Sequence, residues 1–253
     1  MSENSIILSG PAYLALDRPD LYFIVNQAIP KPGIVILAGE PKIGKSFLAL
    51  QLAKHVAEGI EWGDKSTKAS RVLYLVLEAE MVWYDRVRKL DRIGFKLPPT
   101  LFFPHPEFKP NWTNLAEPST QDWLRRVVRE SNPDLVILDP LREIHSADEQ
   151  DSTQMKIVGD CLTDIFAGRA LLIVHHMKKI AAEVEAPDPI QSVRGSSYIT
   201  GKADAIWLLH GNTLRMVPRF ALRESKSVLQ DSVTGLWHFV NGHVPQGELP
   251  GDV

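Results

Sequence analysis

The chain has 253 residues, of which 44% are hydrophobic, a formal net charge of −3 and a single cysteine, Cys161. This length accommodates one large α/β domain or two small ones, the charge excludes a global basic field that would hold nucleic acid, and one cysteine excludes an intramolecular disulfide. No apolar run approaches the ~18 residues of a membrane span, and the polar start Met1-Ser2-Glu3-Asn4-Ser5 lacks the basic head of a signal peptide, so a soluble, cytoplasmic protein without membrane contact is expected.

In chain order, the apolar run Ile34–Ala38 reads as a buried strand. It leads into Gly39-Glu40-Pro41-Lys42-Ile43-Gly44-Lys45-Ser46, which matches the phosphate-binding pattern G-x-x-x-x-G-K-[ST] at every fixed position. Phe47 opens the apolar part of a helix predicted over Ser46–Glu58 and closed by Gly59. Strand, glycine-bearing loop and helix in that order form the context of a P-loop. Arg71–Leu77 is predicted as a second strand, Met81–Ile93 as a charged amphipathic helix and Leu101–Phe103 as a short strand. Proline-rich 104–118 reads as a surface loop. A helix over Gln121–Ser131 precedes a strand over Leu135–Asp139, and a helix over Ser152–Ala167 precedes a strand over Ala170–His175. Continuous apolar strands separated by helices predict a mostly parallel sheet covered on both faces. Lys179–Ser192, with Pro187 and Pro189, reads as a long mobile loop. The last quarter changes character. Ala203–Leu209, Thr213–Pro218, Phe220–Ser225 and Leu236–Val240 are predicted as strands joined by short turns, an antiparallel extension of the sheet at one edge. One domain over 1–253 is expected, with its core at about 32–240.

The P-loop composition carries specific chemistry. Its backbone N–H groups and the following helix N-terminus form an anion site. Lys45 reaches the β- and γ-phosphates of a nucleotide, and the Ser46 hydroxyl is a Mg²⁺ ligand. Asp139, an acid at the end of a buried strand, fits a second Mg²⁺-holding group; a turn aspartate before Pro140 is the competing reading. Glu78 and Glu80 follow the second strand, where a carboxylate can orient an attacking water. Glu78 is the first choice, because Glu80 also fits the start of the next helix, where an acid favours the dipole. His175 and His176 end the fourth core strand with their side chains on opposite faces. One of them is a γ-phosphate sensor or a hydrogen-bonded strand-end histidine. Arg194 can meet a phosphate through two hydrogen bonds, or is a solvated charge, and Lys226 carries the same alternatives. Arg86 is placed to stack on an adenine. Lys178, Lys179 and Lys202 flank the loop after His176 and can meet nucleic-acid phosphates if several copies converge on a pore, or they simply solvate that loop.

The order P-loop, Glu78, Asp139, His175-His176 and Arg194-Gly195-Ser196-Ser197 resembles the RecA-like ATPases. It looks most like the branch of plasmid RepA-type hexameric helicases related to DnaB and KaiC. The strings that carry the likeness are Val72-Leu73-Tyr74-Leu75, Leu138-Asp139-Pro140-Leu141-Arg142, Val174-His175-His176 and Arg194-Gly195-Ser196-Ser197, within about Pro32 to Trp237. The resemblance implies an α/β RecA-like P-loop core, ATP and Mg²⁺ bound between subunits, and a homo-oligomer in the form of a hexameric ring. It further implies Glu78 as base, His176 or His175 as sensor, and Arg194 or Lys226 acting on the neighbour's nucleotide. Single-stranded DNA would lie in the channel, and replication or recombination proteins would be the partners. Three departures weigh against DNA translocation. The loop Arg142–Thr153 carries Glu143, Asp148, Glu149 and Asp151. The loop after His176 mixes Lys178 and Lys179 with Glu183, Glu185 and Asp188. Val228 stands where DnaB-like proteins place an arginine after Lys226. A KaiC- or RadA-like ATPase that remodels protein partners, or a nucleotide-binding assembly module that does not hydrolyse, are the alternatives.

Overall fold

The computed structural model describes residues 7–17, 21–110, 113–178, 187–195 and 197–240. A short helix α1 (Gly10–Leu14) and a small hairpin, β1 (Phe23–Val25) with β2 (Ile29–Pro30), precede the core. The core alternates strand and helix: β3 (Gly33–Gly39), α2 (Lys45–Glu58), β4 (Val72–Val76), α3 (Glu80–Arg92), β5 (Leu101–Phe102), α4 (Pro118–Ser131), β6 (Leu135–Asp139), α5 (Ser152–Ile165) and β7 (Ala170–His176). Two short helices, α6 (Pro189–Ser192) and α7 (Ser197–Lys202), lead into β8 (Ala205–His210), β9 (Thr213–Pro218), β10 (Glu224–Gln230) and β11 (Trp237–Phe239). Together β3 to β11 form one nine-stranded sheet of order β11-β10-β9-β8-β3-β7-β6-β4-β5. The strands from β8 to β5 run parallel, and β9, β10 and β11 extend the β8 edge antiparallel. This is the expected mostly parallel sheet with an antiparallel C-terminal edge.

Both faces of the sheet are buried, which is why its central strands read as unbroken apolar runs. The pleat divides each strand between two cores. Val35, Leu37, Val72, Tyr74, Leu135, Ile137, Leu172 and Val174 pack with α2 residues Leu48, Leu52 and Val56. Ile36, Ala38, Leu73, Leu75, Val136, Leu138, Leu171 and Ile173 pack with α4 and α5 residues Leu124, Val128, Met155, Val158 and Leu162. The helices follow from local signals. Asp151 caps α5 by accepting from the Thr153 and Gln154 amides, and Met155, Val158, Leu162 and Ile165 make its buried stripe. Helix α2 ends on Gly59 in left-handed backbone (φ 71°), where a Cβ would lie 2.9 Å from the Ala69 side chain.

The antiparallel edge curls back over α2. Trp237 exchanges hydrogen bonds with the Gln51 side chain through its amide (2.6 Å) and carbonyl (2.9 Å). Phe239 meets Trp62 edge-on, and Trp62 stacks on Trp207 with ring centroids 5.1 Å apart. Trp207 is fully enclosed, so truncation empties the joint between the sheet and its curled edge. We expect Trp207→Ala to destabilise the fold by about 3–5 kcal/mol, read from urea unfolding followed by circular dichroism. A loss under about 1 kcal/mol would show that the joint collapses to fill the void.

Three sequence expectations are corrected. The strand predicted over Phe220–Ser225 begins at Glu224 and runs to Gln230. Phe220 instead packs edge-on against Phe23 at 5.0 Å, and Leu222 is exposed, so this apolar trio serves a loop. The end of the loop predicted over Lys179–Ser192 carries α6, capped by the Asp188 carboxylate on the Gln191 amide. Residues 179–186 of that loop lie outside the described residues. The proline-rich stretch after β5 contains a 3-10 turn over Pro106–Phe108, capped by His105.

Candidate active site

The carboxyl ends of β3, β4, β6 and β7 carry Gly39, Val76, Asp139 and His176, the edge of a parallel sheet at which ligands bind. Gly39 admits no side chain, since a Cβ there would lie 2.6 Å from the Leu209 carbonyl. The loop Glu40-Pro41-Lys42-Ile43-Gly44 turns through left-handed backbone at Lys42 (φ 65°) and Gly44 (φ 99°) before α2 starts at Lys45. Such turns gather successive N–H groups into an anion-binding concavity. Trp237 Nε1 donates to the Gly44 carbonyl at 3.1 Å, so the curled edge braces the end of the loop. Phe47, in the first turn of α2, lies beneath the guanidinium of Arg86, 5.8 Å from ring centroid to Cζ.

Lys45 is only 6% exposed. Its ammonium donates to the carbonyls of Gly39 (3.0 Å) and Glu40 (2.7 Å). Burial lowers its pKa to about 8, against the opposing pull of Asp139, Glu40 and Glu78. Asp139 is buried on the α2 face of the sheet, in line with Leu135 and Ile137. Burial pushes its carboxyl above the usual range, and hydrogen bonds from Tyr74 and Ser46 and the charge of Lys45 oppose that rise. The Tyr74 hydroxyl donates to Asp139 Oδ2 at 2.6 Å. Lys45, Ser46 and Asp139 thus form one contiguous group beside the loop.

The two glutamates separate by their partners. Glu80 opens α3 and faces the Lys109 ammonium at 3.5 Å, which also donates to the Val76 carbonyl at 3.2 Å. Glu78 is exposed in the bend after β4, has no hydrogen bond or ion pair among the described residues, and acts electrostatically on Lys45, Asp139 and His176. Ala79 between them takes left-handed backbone (φ 50°), an uncommon conformation for a residue with a Cβ, of the kind that gathers at functional sites.

The two histidines separate by face. His176 shares the α2 face with Leu172 and Val174 and pairs in register with Gly39. Burial, then Lys45 and His175, lower its pKa, so it is neutral at pH 7. His175 shares the opposite face with Leu171 and Ile173, is 2% exposed, and its Nε2 lies 2.9 Å from the Arg194 carbonyl. Arg194 itself is exposed, and its Nε is 3.2 Å from Oε2 of the buried Glu149. The adjoining Gly195 is required by packing, because a Cβ would lie 2.8 Å from the Glu149 carbonyl. Lys226, on β10, is held by Asp64 at 2.6 Å and Glu224 at 3.3 Å.

The basic residues proposed for nucleic acid do not assemble into one patch. Lys178 is exposed past the carboxyl end of β7. Lys202 precedes β8 at the other end of the sheet and is tied to Asp160 of α5. Lys179 lies outside the described residues. Sequence reasoning missed Tyr74, Glu149, Lys109 and Trp237. A lone tyrosine in the otherwise aliphatic run Val72–Val76 was the one local signal for any of them.

A P-loop on β3, an acid on β6 two strands away, a glutamate after β4 and the order β8-β3-β7-β6-β4 define a RecA-like P-loop ATPase fold of the DnaB and KaiC type. Residues 15–182, well over half of the chain, match the AAA domain family, and the chain belongs to that family. Two solved structures agree in fold. A KaiC-like protein from the hyperthermophilic archaeon Pyrococcus horikoshii is 13% identical, with 86% of this chain and 93% of that one covered and a TM-score of 0.53. A helicase ATPase domain is 16% identical, with 83% and 85% covered and a TM-score of 0.59. No helix among the described residues is long and apolar enough to cross a membrane.

Proposed function

We propose that the chain hydrolyses ATP as a ring-forming RecA-like motor that works on single-stranded DNA. The observation that carries the hydrolytic part is the convergence of Lys45, Ser46 and Asp139 with an unpaired Glu78 and a neutral His176 at one sheet edge. The donor set fits Mg²⁺–ATP. Lys45 holds a buried ammonium against loop carbonyls that phosphate oxygens would replace. Ser46 and Asp139, already in contact, offer the hydroxyl and carboxylate that hold the cation in P-loop enzymes. Bound Mg²⁺ supplies charge neutralisation at the phosphates. Glu78 accepts a hydrogen bond from the attacking water and orients it. His176, neutral and level with Gly39, donates to the terminal phosphate, while His175 supports the Arg194 backbone from the other face. Arg86 over Phe47 flanks the adenine.

A closed homo-oligomer, most simply a hexamer, completes the site by head-to-tail contact. Arg194 is the better group to reach a neighbour, because it is exposed and held by one carboxylate, whereas Lys226 is held by two. Light scattering with an ATP analogue and Mg²⁺ is expected to show a discrete ring, and a monomer at high concentration would sink this part.

The test of the DNA part is the ATPase rate with and without single-stranded DNA across a salt series. Stimulation that weakens steeply with salt is the expected result, because phosphate contacts release counterions. Absence of both stimulation and low-salt binding would favour the second reading, a KaiC- or RadA-like ATPase that remodels protein partners such as replication or recombination proteins. The acidic stretch Glu143, Asp148, Glu149 and Asp151 after β6 and the separation of Lys178 from Lys202 favour that reading.

A further inference from the structure

Tyr74 lies mid-strand on β4, fully buried, and no role above uses it. A buried phenol requires a partner. Its hydroxyl lies 2.6 Å from Asp139 Oδ2 and 3.2 Å from the Ser46 carbonyl. A phenol has one proton to give, and the shorter contact to a carboxylate takes it. The contact follows from the register of the sheet. Tyr74 pairs directly with Ile137 of β6, so Asp139 is its diagonal neighbour on the same face, within reach of a long aromatic side chain. The ring cannot swing away. It stacks on Trp83 at 5.3 Å and on Phe103 at 5.8 Å. One hydroxyl therefore spans two parts of the site, the carboxylate on β6 and the backbone of the helix that carries Ser46.

We propose that Tyr74 is the positioning residue for the metal site, its hydroxyl pinning Asp139 Oδ2 so that the carboxylate and Ser46 meet a divalent cation in one preset arrangement. This rests on the reading of Ser46 and Asp139 as the cation-holding pair. Groups that hydrogen-bond a metal-ligating carboxylate set its orientation, and their loss lowers metal affinity by about 10–100-fold.

The test uses the full chain, ADP and Mn²⁺, with free Mn²⁺ read by electron paramagnetic resonance. Tyr74→Phe keeps the ring against Trp83 and Phe103 and removes only the hydroxyl. The expected result is Mn²⁺ affinity in the presence of ADP weakened by about 10–100-fold, with metal-free ADP affinity unchanged. Asp139→Asn is the parallel control, expected to weaken Mn²⁺ at least as much. Mn²⁺ affinity unchanged in Tyr74→Phe but weakened in Asp139→Asn overturns the inference and leaves the ATPase reading standing. Unchanged Mn²⁺ affinity in Asp139→Asn overturns the cation assignment and the inference with it. Loss of metal-free ADP binding in Tyr74→Phe makes the hydroxyl a general support of the P-loop and also overturns the inference.

Discussion

Glu78→Gln is expected to bind ATP as tightly as the parent and to turn it over about 10²–10⁴-fold more slowly, the range for loss of a positioned general base. The amide keeps the shape of the side chain and removes its ability to accept the water's proton. Glu80→Gln is the matched comparison. Its carboxylate already faces Lys109 and opens α3, so its loss is expected to change turnover by only a few-fold. The pair is decisive because both residues leave the same strand end, on either side of the left-handed Ala79. Radiolabelled ATP hydrolysis beside equilibrium binding of an ATP analogue reads both quantities. If Glu80→Gln is the dead variant and Glu78→Gln hydrolyses at the parent rate, the base is misassigned. Mixed rings of Glu78→Gln and Arg194→Ala subunits extend the test. Activity restored by mixing would show that each site draws on two subunits.

Much of the fold was legible because the strands buried on both faces announce themselves as apolar runs, and because Gly59, Asp151 and the P-loop glycines punctuate the helices. The P-loop needed no tertiary information, since its residues are contiguous. What the sequence left open was decided by contacts between distant segments. Alternation along β7 separates His175 from His176 in any register, but which of them faces the P-loop depends on which face α2 covers. Glu78 and Glu80 are equivalent until Lys109, from the loop after β5, takes one of them. Lys226 reads as a free cation until β10 is placed beside Asp64. Phe220-Ala221-Leu222 has strand composition, yet its phenylalanine serves the β1–β2 hairpin, whose own strands are too short to show a period. The lysines at 178 and 202 are near in sequence and far apart on the sheet because α6 and α7 carry the chain from one end of it to the other.

Lys45→Met is expected to abolish nucleotide binding and turnover while making the nucleotide-free protein more stable. The lost activity follows from removing the charge that meets the phosphates, where a single preorganised donor is worth about 10²–10³ in rate, and binding falls with it. The gain in stability follows from burial. The ammonium is 6% exposed and its pKa falls from 10.5 to about 8, with burial the largest cause. The folded state therefore binds this proton less tightly than the unfolded chain does. Below about pH 8 both states are charged and the folded state carries the whole penalty, of order 3 kcal/mol at 1.36 kcal/mol per unit. As pH rises from about 8 to 10.5, the folded state sheds the proton first and the penalty is relieved. Methionine fills the same space without the charge, and water at the loop meets the carbonyls of Gly39 and Glu40. Thermal unfolding of the nucleotide-free protein at pH 7 should thus show a higher midpoint for Lys45→Met than for the parent, and the difference should shrink toward pH 10. A variant no more stable than the parent at pH 7 would mean that the two carbonyl bonds and the carboxylates of Asp139, Glu40 and Glu78 fully compensate the buried charge. The lysine would then rest in the empty loop without strain, and nucleotide affinity would owe nothing to its release.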